Sequence, residues 1–184
     1  NASATNTGLV APPVPSFDFL NATPSAPDAA APSAATSMRQ GMLPPPDLQP
    51  LFEKASANWG VPINVLSALA QQESDYNANA IGSKTKWGRA KGMLQYIDPT
   101  AKGMGIDPFN AEQSIDAAAK QFKQRLDQGY SVQEAVAAHF GGDDRAQWGP
   151  KTKKYVDEVL SKAGTIDQEM MATRVLGEAQ NKPH

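Results

Sequence analysis

The 184-residue chain contains no cysteine, which excludes a disulfide scaffold, a thiol nucleophile and any zinc site built on thiolates. No run approaches about 18 consecutive apolar residues, so nothing reads as a membrane-spanning helix. No basic, apolar and small-residue sequence opens the chain as a secretory signal would. Charge of one sign is scarcely in excess, with 17 Lys and Arg against 19 Asp and Glu for a net charge of -2. A broadly basic nucleic-acid or membrane-surface module is therefore not expected. The two histidines have no clustered acidic partners, so neither a metal site nor a cofactor is expected. No stretch alternates apolar and polar residues as a half-buried strand does.

Proline is present but unevenly placed. Ten of the 15 prolines fall in residues 1–50, and residues 1–46 carry only the charges Asp18, Asp28 and Arg39. Proline lacks the amide donor that helices and ladders need. Two readings fit this Ala/Pro-rich segment: a flexible, partly polyproline tether, or a segment that orders on a partner through Phe17-Asp18-Phe19-Leu20.

From Asp47 the pattern changes to helical period. Residues 47–163 hold 14 Lys or Arg and 14 Asp or Glu over 117 residues, long enough for one domain with its own core. Leu48, Leu51, Phe52, Ala55 and Trp59 share one face, with Asp47 as cap and Gly60 as stop. A second helix starts at Pro62 and runs to about Ser74. A third has Asn110 and Gln113 in capping-box spacing and ends at Gly129. A fourth opens with Ser131 and Glu134 in the same spacing and stops at Gly141-Gly142. A fifth runs from Pro150 to about Lys162. Residues 164–184 form a tail with one more helical signal at Thr165, marginal alone and suited to docking. The fold class is all-α.

Glu73 stands out. The apolar stripe of the second helix is Ile63, Leu66, Leu69 and Ala70, and at about 100° per residue Glu73 falls within that arc. Either it frays at a wet helix end, or it is a carboxyl whose charged form is disfavoured and which donates a proton near neutral pH. The turn-forming run Ser74-Asp75-Tyr76-Asn77 follows it, and a helix end opening onto a loop is where a cleft wall sits. Gly92-Met93-Leu94-Gln95-Tyr96 adds a close-approach glycine, an amide and apolar faces suited to sugar.

Glu73-Ser74, Gly92-Met93-Leu94-Gln95, Pro99-Thr100-Ala101, Ala138-His139-Phe140-Gly141-Gly142 and Lys154-Tyr155-Val156 keep the order and approximate spacing of the soluble lytic transglycosylases. The resemblance covers about residues 48–162 and implies a lysozyme-like helical fold related to goose-type lysozyme. It implies cleavage of peptidoglycan glycan strands between N-acetylmuramic acid and N-acetylglucosamine with 1,6-anhydromuramyl ends. By the same resemblance, Glu73 is the sole catalytic carboxyl and Ser74 contacts sugar or steadies the loop. Met93 lines the cleft, Gln95 binds substrate and Tyr155 orients Glu73. Lysozyme-like hydrolysis is the alternative outcome of the same site.

Three departures accompany the resemblance. Met93 and Leu94 are exchanged relative to the usual Gly-Leu-Met-Gln. The loop from Ser83 to Gly92 is longer and carries Lys84, Lys86, Arg89 and Lys91 around Trp87 with no acid. The usual Ala-Tyr-Asn becomes Ala138-His139-Phe140, which removes an asparagine that touches substrate. His139 reads as a satisfied, partly buried histidine that supports the site rather than a catalytic one. Asp143-Asp144 reads as a solvated turn, since the spacing lacks the alternating ligands of a calcium loop. The basic loop suits the anionic peptide stems of peptidoglycan better than nucleic acid, and a solvated loop with no ligand fits equally.

Two functions stay open: an active lytic transglycosylase, and a weak or inactive member that binds glycan as an assembly component, which Phe140 favours. Related domains open phage ejection proteins and serve envelope machines, so a virion protein delivered to the periplasm is one expected setting. A processed periplasmic enzyme is the other. Partners from a virion or envelope complex would engage residues 1–46 or the tail.

Overall fold

A computed structural model of the protein describes residues 41–85 and 87–180. The expected tether through residue 40, its Phe17–Leu20 anchor, Lys86 and His184 lie outside the described residues. Six α-helices are described, and the helices expected from periodicity are among them. α1 (Gln49–Trp59) begins one residue later than a cap at Asp47 requires: Leu48 takes the cap position without a side-chain bond, and Pro50 occupies the first turn. Gly60 ends it in the left-handed conformation that lacks a Cβ penalty.

α2 (Ile63–Ser74) follows Pro62 and is the central helix, with Val65 through Ala70 buried without a break. A helix buried on all sides over that stretch must be surrounded. It packs chiefly against α6 and also meets α1 and α4. Full burial of Leu66 and Leu69 contributes about 2 kcal/mol each. α4 (Ala111–Asp127) is capped by Asn110, which accepts from the Gln113 amide at 3.0 Å. α5 (Val132–Gly141) opens with a full capping box between Ser131 and Glu134. α3 (Asp98–Met104) is a short helix, and a single 3-10 turn covers Arg145–Gln147.

Two features differ from the sequence reading. A two-stranded antiparallel hairpin, β1 (Ile81–Thr85) and β2 (Gly88–Lys91), stands where no strand was expected. Among its residues Ala90 alone is buried. The ladder is therefore held by backbone bonds, and side-chain alternation carries no signal of it.

The second difference is that the expected fifth and tail helices form one helix, α6 (Pro150–Gln180). Val159, Ala163 and Ile166 stay in the core across Gly164, so packing carries the helix through a residue that weakens it by about 1 kcal/mol. One turn further on, Glu169 accepts the backbone amides of Met42 at 2.8 Å and Leu43 at 3.2 Å. The Tyr76 hydroxyl donates to the Met42 carbonyl at 2.6 Å. The described residues just before α1 therefore lie on the helical body.

Candidate active site

Glu73 is the penultimate residue of α2. The helix stops there because Asp75 (φ 52°) and Tyr76 (φ 63°) both turn left-handed, a conformation that costs a non-glycine residue about 1–2 kcal/mol. Tyr76 is held in it by burial, by the bond to Met42 and by edge-on packing at 5.8 Å against Phe52.

The loop Gly92–Ile97 faces the end of α2. Gly92 is left-handed (φ 74°), and a Cβ there would overlap the Pro108 carbonyl. Gln95 is also left-handed, and its side-chain amide donates to the Gly92 carbonyl at 2.8 Å. The Ser74 hydroxyl donates to the Met93 carbonyl at 2.8 Å and accepts from the Asn77 amide at 3.1 Å. That hydroxyl therefore ties the helix end to both loops.

Between α2, the hairpin, α4, α5 and α6 lies a cleft of about 460 Å³ lined by Glu73, Gln95, Tyr96, His139, Phe140 and Tyr155, among others. Glu73 keeps 16% of its side-chain surface. Burial pushes its carboxyl up to about 7, while the Tyr155 hydrogen bond and the Lys162 charge pull the other way and lose. The Tyr155 hydroxyl donates to Glu73 Oε1. Phe140 stacks on the Tyr155 ring with centroids 4.5 Å apart and planes at 22°, so α5 buttresses the tyrosine that holds the carboxyl.

His139 Nε2 lies 3.7 Å from Glu73 Oε1. Burial and then the Arg125 charge hold its imidazole down at about 3, so it is neutral near pH 7 and the contact is not an ion pair. Its ring meets Tyr96 edge-on at 6.2 Å, and the Tyr96 hydroxyl donates to Gln121 at 3.3 Å. Arg125 donates through Nε to Asp143 at 2.8 Å.

Of the six residues singled out from the sequence, Glu73, Gln95, His139 and Tyr155 converge on the cleft. Ser74 sits behind it and steadies the loop. Met93 does not line the cleft: its side chain is fully buried in the core, and the adjacent Leu94 takes the cleft position. Reasoning from sequence overlooked Gln121 and Arg125, and it read Asp143, which Arg125 engages at the cleft, as a solvated turn. On α4 the first two look like an ordinary polar face. Among the described residues no three His, Asp or Glu gather as metal ligands, and no helix is long and apolar enough to cross a membrane.

The chain is similar to known proteins over its helical domain. Residues 50–160 match the model of the transglycosylase SLT domain. The chain is 31% identical over 107 residues to a transglycosylase of Enterobacteria phage PRD1, covering 58% of this chain and 39% of that protein. It is 34% identical over 82 residues to the membrane-bound lytic murein transglycosylase F of Enterobacter sp. (strain 638), covering 44% of this chain and 15% of that one. The chain thus spans well under half the length of these relatives. In fold it resembles an inactive mutant of the lytic transglycosylase Slt of Pseudomonas aeruginosa, with TM-score 0.57 and 22% identity over 67% of this chain and 24% of that one. With more than half of its 184 residues inside the family match, the protein belongs to the transglycosylase SLT domain family.

Proposed function

We propose that this chain cuts peptidoglycan glycan strands as a lytic transglycosylase, with Glu73 as its single acid–base group. The observation that carries the reading is one carboxyl raised to about 7 in a cleft whose other carboxylate, Asp143, is engaged by Arg125. Glycoside hydrolases that consume water normally pair two free carboxyl groups across the bond. Here protonated Glu73 gives its proton to the glycosidic oxygen, the bond from muramyl C1 breaks, and the N-acetylglucosamine hydroxyl leaves. The substrate's own N-acetyl group stabilises the positive charge at C1. The Glu73 carboxylate then takes the proton of the C6 hydroxyl as O6 closes on C1. The acid is restored, no water is consumed, and the product carries a 1,6-anhydro ring.

Tyr155 orients the carboxyl, while Gln95 and His139 supply polar contacts to sugar. The names borne by the phage and Enterobacter relatives support action on the cell wall, whether delivered by a virion or resident in the envelope. Mass spectrometry of muropeptides released from purified sacculi tests the chemistry. Anhydro ends are expected, and reducing ends, heavier by one water, would make the protein a hydrolase.

A second reading, a glycan-binding component that cuts poorly, rests on Phe140, whose ring is spent on Tyr155 rather than on hydrogen bonds to sugar. A zymogram separates the two. Clearing by wild type but not by Glu73→Gln supports the enzyme, and no clearing by either supports the binding component.

A further inference from the structure

The hairpin carries a charge arrangement that the catalytic reading does not use. Lys84 and Arg89 are direct cross-strand partners, so their side chains leave the same face side by side. Both are exposed, and among the described residues neither has a carboxylate partner. Like charges directly opposite each other destabilise a ladder, and this two-stranded ladder has only Ala90 in the core to offset that. Arg89 Nη1 donates to the Gly82 carbonyl at 3.1 Å, and Gly82 and Ser83 line the cleft that holds Glu73. The guanidinium is thereby bonded to a residue of the cleft lining, with donors left over. Lys91 differs, being neutralised by Asp98 at 2.7 Å. Trp87 in the connecting turn is 44% exposed.

We propose that Lys84 and Arg89 form a carboxylate-binding site for the peptide stems of the glycan strand lying in the cleft, so that the protein favours peptide-bearing over peptide-free glycan. The proposal rests on the reading of the cleft as a peptidoglycan site. Paired cations recognise planar carboxylates through charge-assisted hydrogen bonds. Stems branch from the same strand that the cleft takes, which places them at its rim. A nucleic acid would need a broad basic surface, whereas the chain as a whole carries -2.

The test uses Glu73→Gln, which binds without cutting, and the same protein with Lys84→Ala and Arg89→Ala added. Retention on intact sacculi is compared with retention on immobilised glycan strands freed of their peptides by an amidase. Retention on intact sacculi is expected to weaken by about two- to tenfold in the triple variant, with retention on stripped glycan unchanged. Added salt should erase the difference. Equal weakening on both substrates, or on neither, overturns the proposal. So does a loss confined to retention on double-stranded DNA, which would assign the pair to phosphate. Circular dichroism confirms that the variants are folded, and the single variant Lys84→Gln gives a milder second measurement in the same direction. Muropeptide release by the wild type is scored separately: its failure sinks the proposed cutting, while the binding comparison still decides on the stems.

Discussion

Glu73 owes its chemistry to its position. A carboxyl at a wet helix end stays ionised at neutral pH, whereas burial beside His139 and Tyr155 brings this one to about 7. In the proposed mechanism the first step needs the protonated form, so kcat should fall as pH rises through that value. Glu73→Gln keeps shape and loses the proton, and turnover of sacculi is expected to drop by at least about 100-fold. Tyr155→Phe removes a bond that favours the ionised carboxyl. Its loss should raise the Glu73 pKa, moving the alkaline limb of the pH–rate profile upward while kcat falls about tenfold. A lower rate with an unmoved limb would show that Tyr155 only packs.

At the scale of elements, the site is made by the ends of helices and by one strained loop. Gly92 must be left-handed with no Cβ, because the Pro108 carbonyl occupies that space. Gly92→Ala is expected to lower stability by about 2 kcal/mol or more. Activity should fall with it, since Gln95 and the bond from Ser74 to Met93 ride on that loop. α6 contributes on both sides of Gly164: Tyr155 reaches Glu73, and Ile166, two residues past that glycine, is fully buried. Ile166→Ala should cost about 2–4 kcal/mol in urea unfolding with turnover preserved below the transition. A silent Ile166→Ala would mean that the helix beyond Gly164 adds nothing to the domain.

For the whole molecule, the two buried titrating groups of the cleft oppose each other in stability. Glu73 is protonated in the fold up to about 7 and ionises near 4.5 when exposed, so stability falls as pH rises between those values. His139 is neutral in the fold down to about 3 and protonates near 6.5 when exposed, so stability falls as pH drops from 6.5 toward 3. Glu73→Gln removes the first contribution alone. Its stability should match wild type near pH 4 and exceed it above pH 7 by at most about 3 kcal/mol given the residual 16% exposure, with Tm rising accordingly. Thermal unfolding of both proteins across pH 4–8 checks this, and parallel curves would mean that Glu73 titrates normally.

Much of the molecule was legible before folding because helices declare themselves locally. Apolar spacing marked α1, α2, α4 and α5, and the Ser131 and Glu134 spacing became a full capping box. Glu73 was visible because a carboxyl in an apolar arc breaks a local rule. What local spacing could not carry was anything settled by contacts between distant segments. The hairpin has almost no buried side chains to leave a pattern, and α6 runs through Gly164 because the core holds both sides of it. Met93 and Leu94 are neighbours and both are buried in the core, and only the packing of their loop sets Leu94 rather than Met93 against the cleft. Sequence by itself determined the helices and the odd carboxyl. Tertiary structure decided the carboxyl's protonation, since desolvation and the bond from Tyr155 exist only once α6 lies against α2.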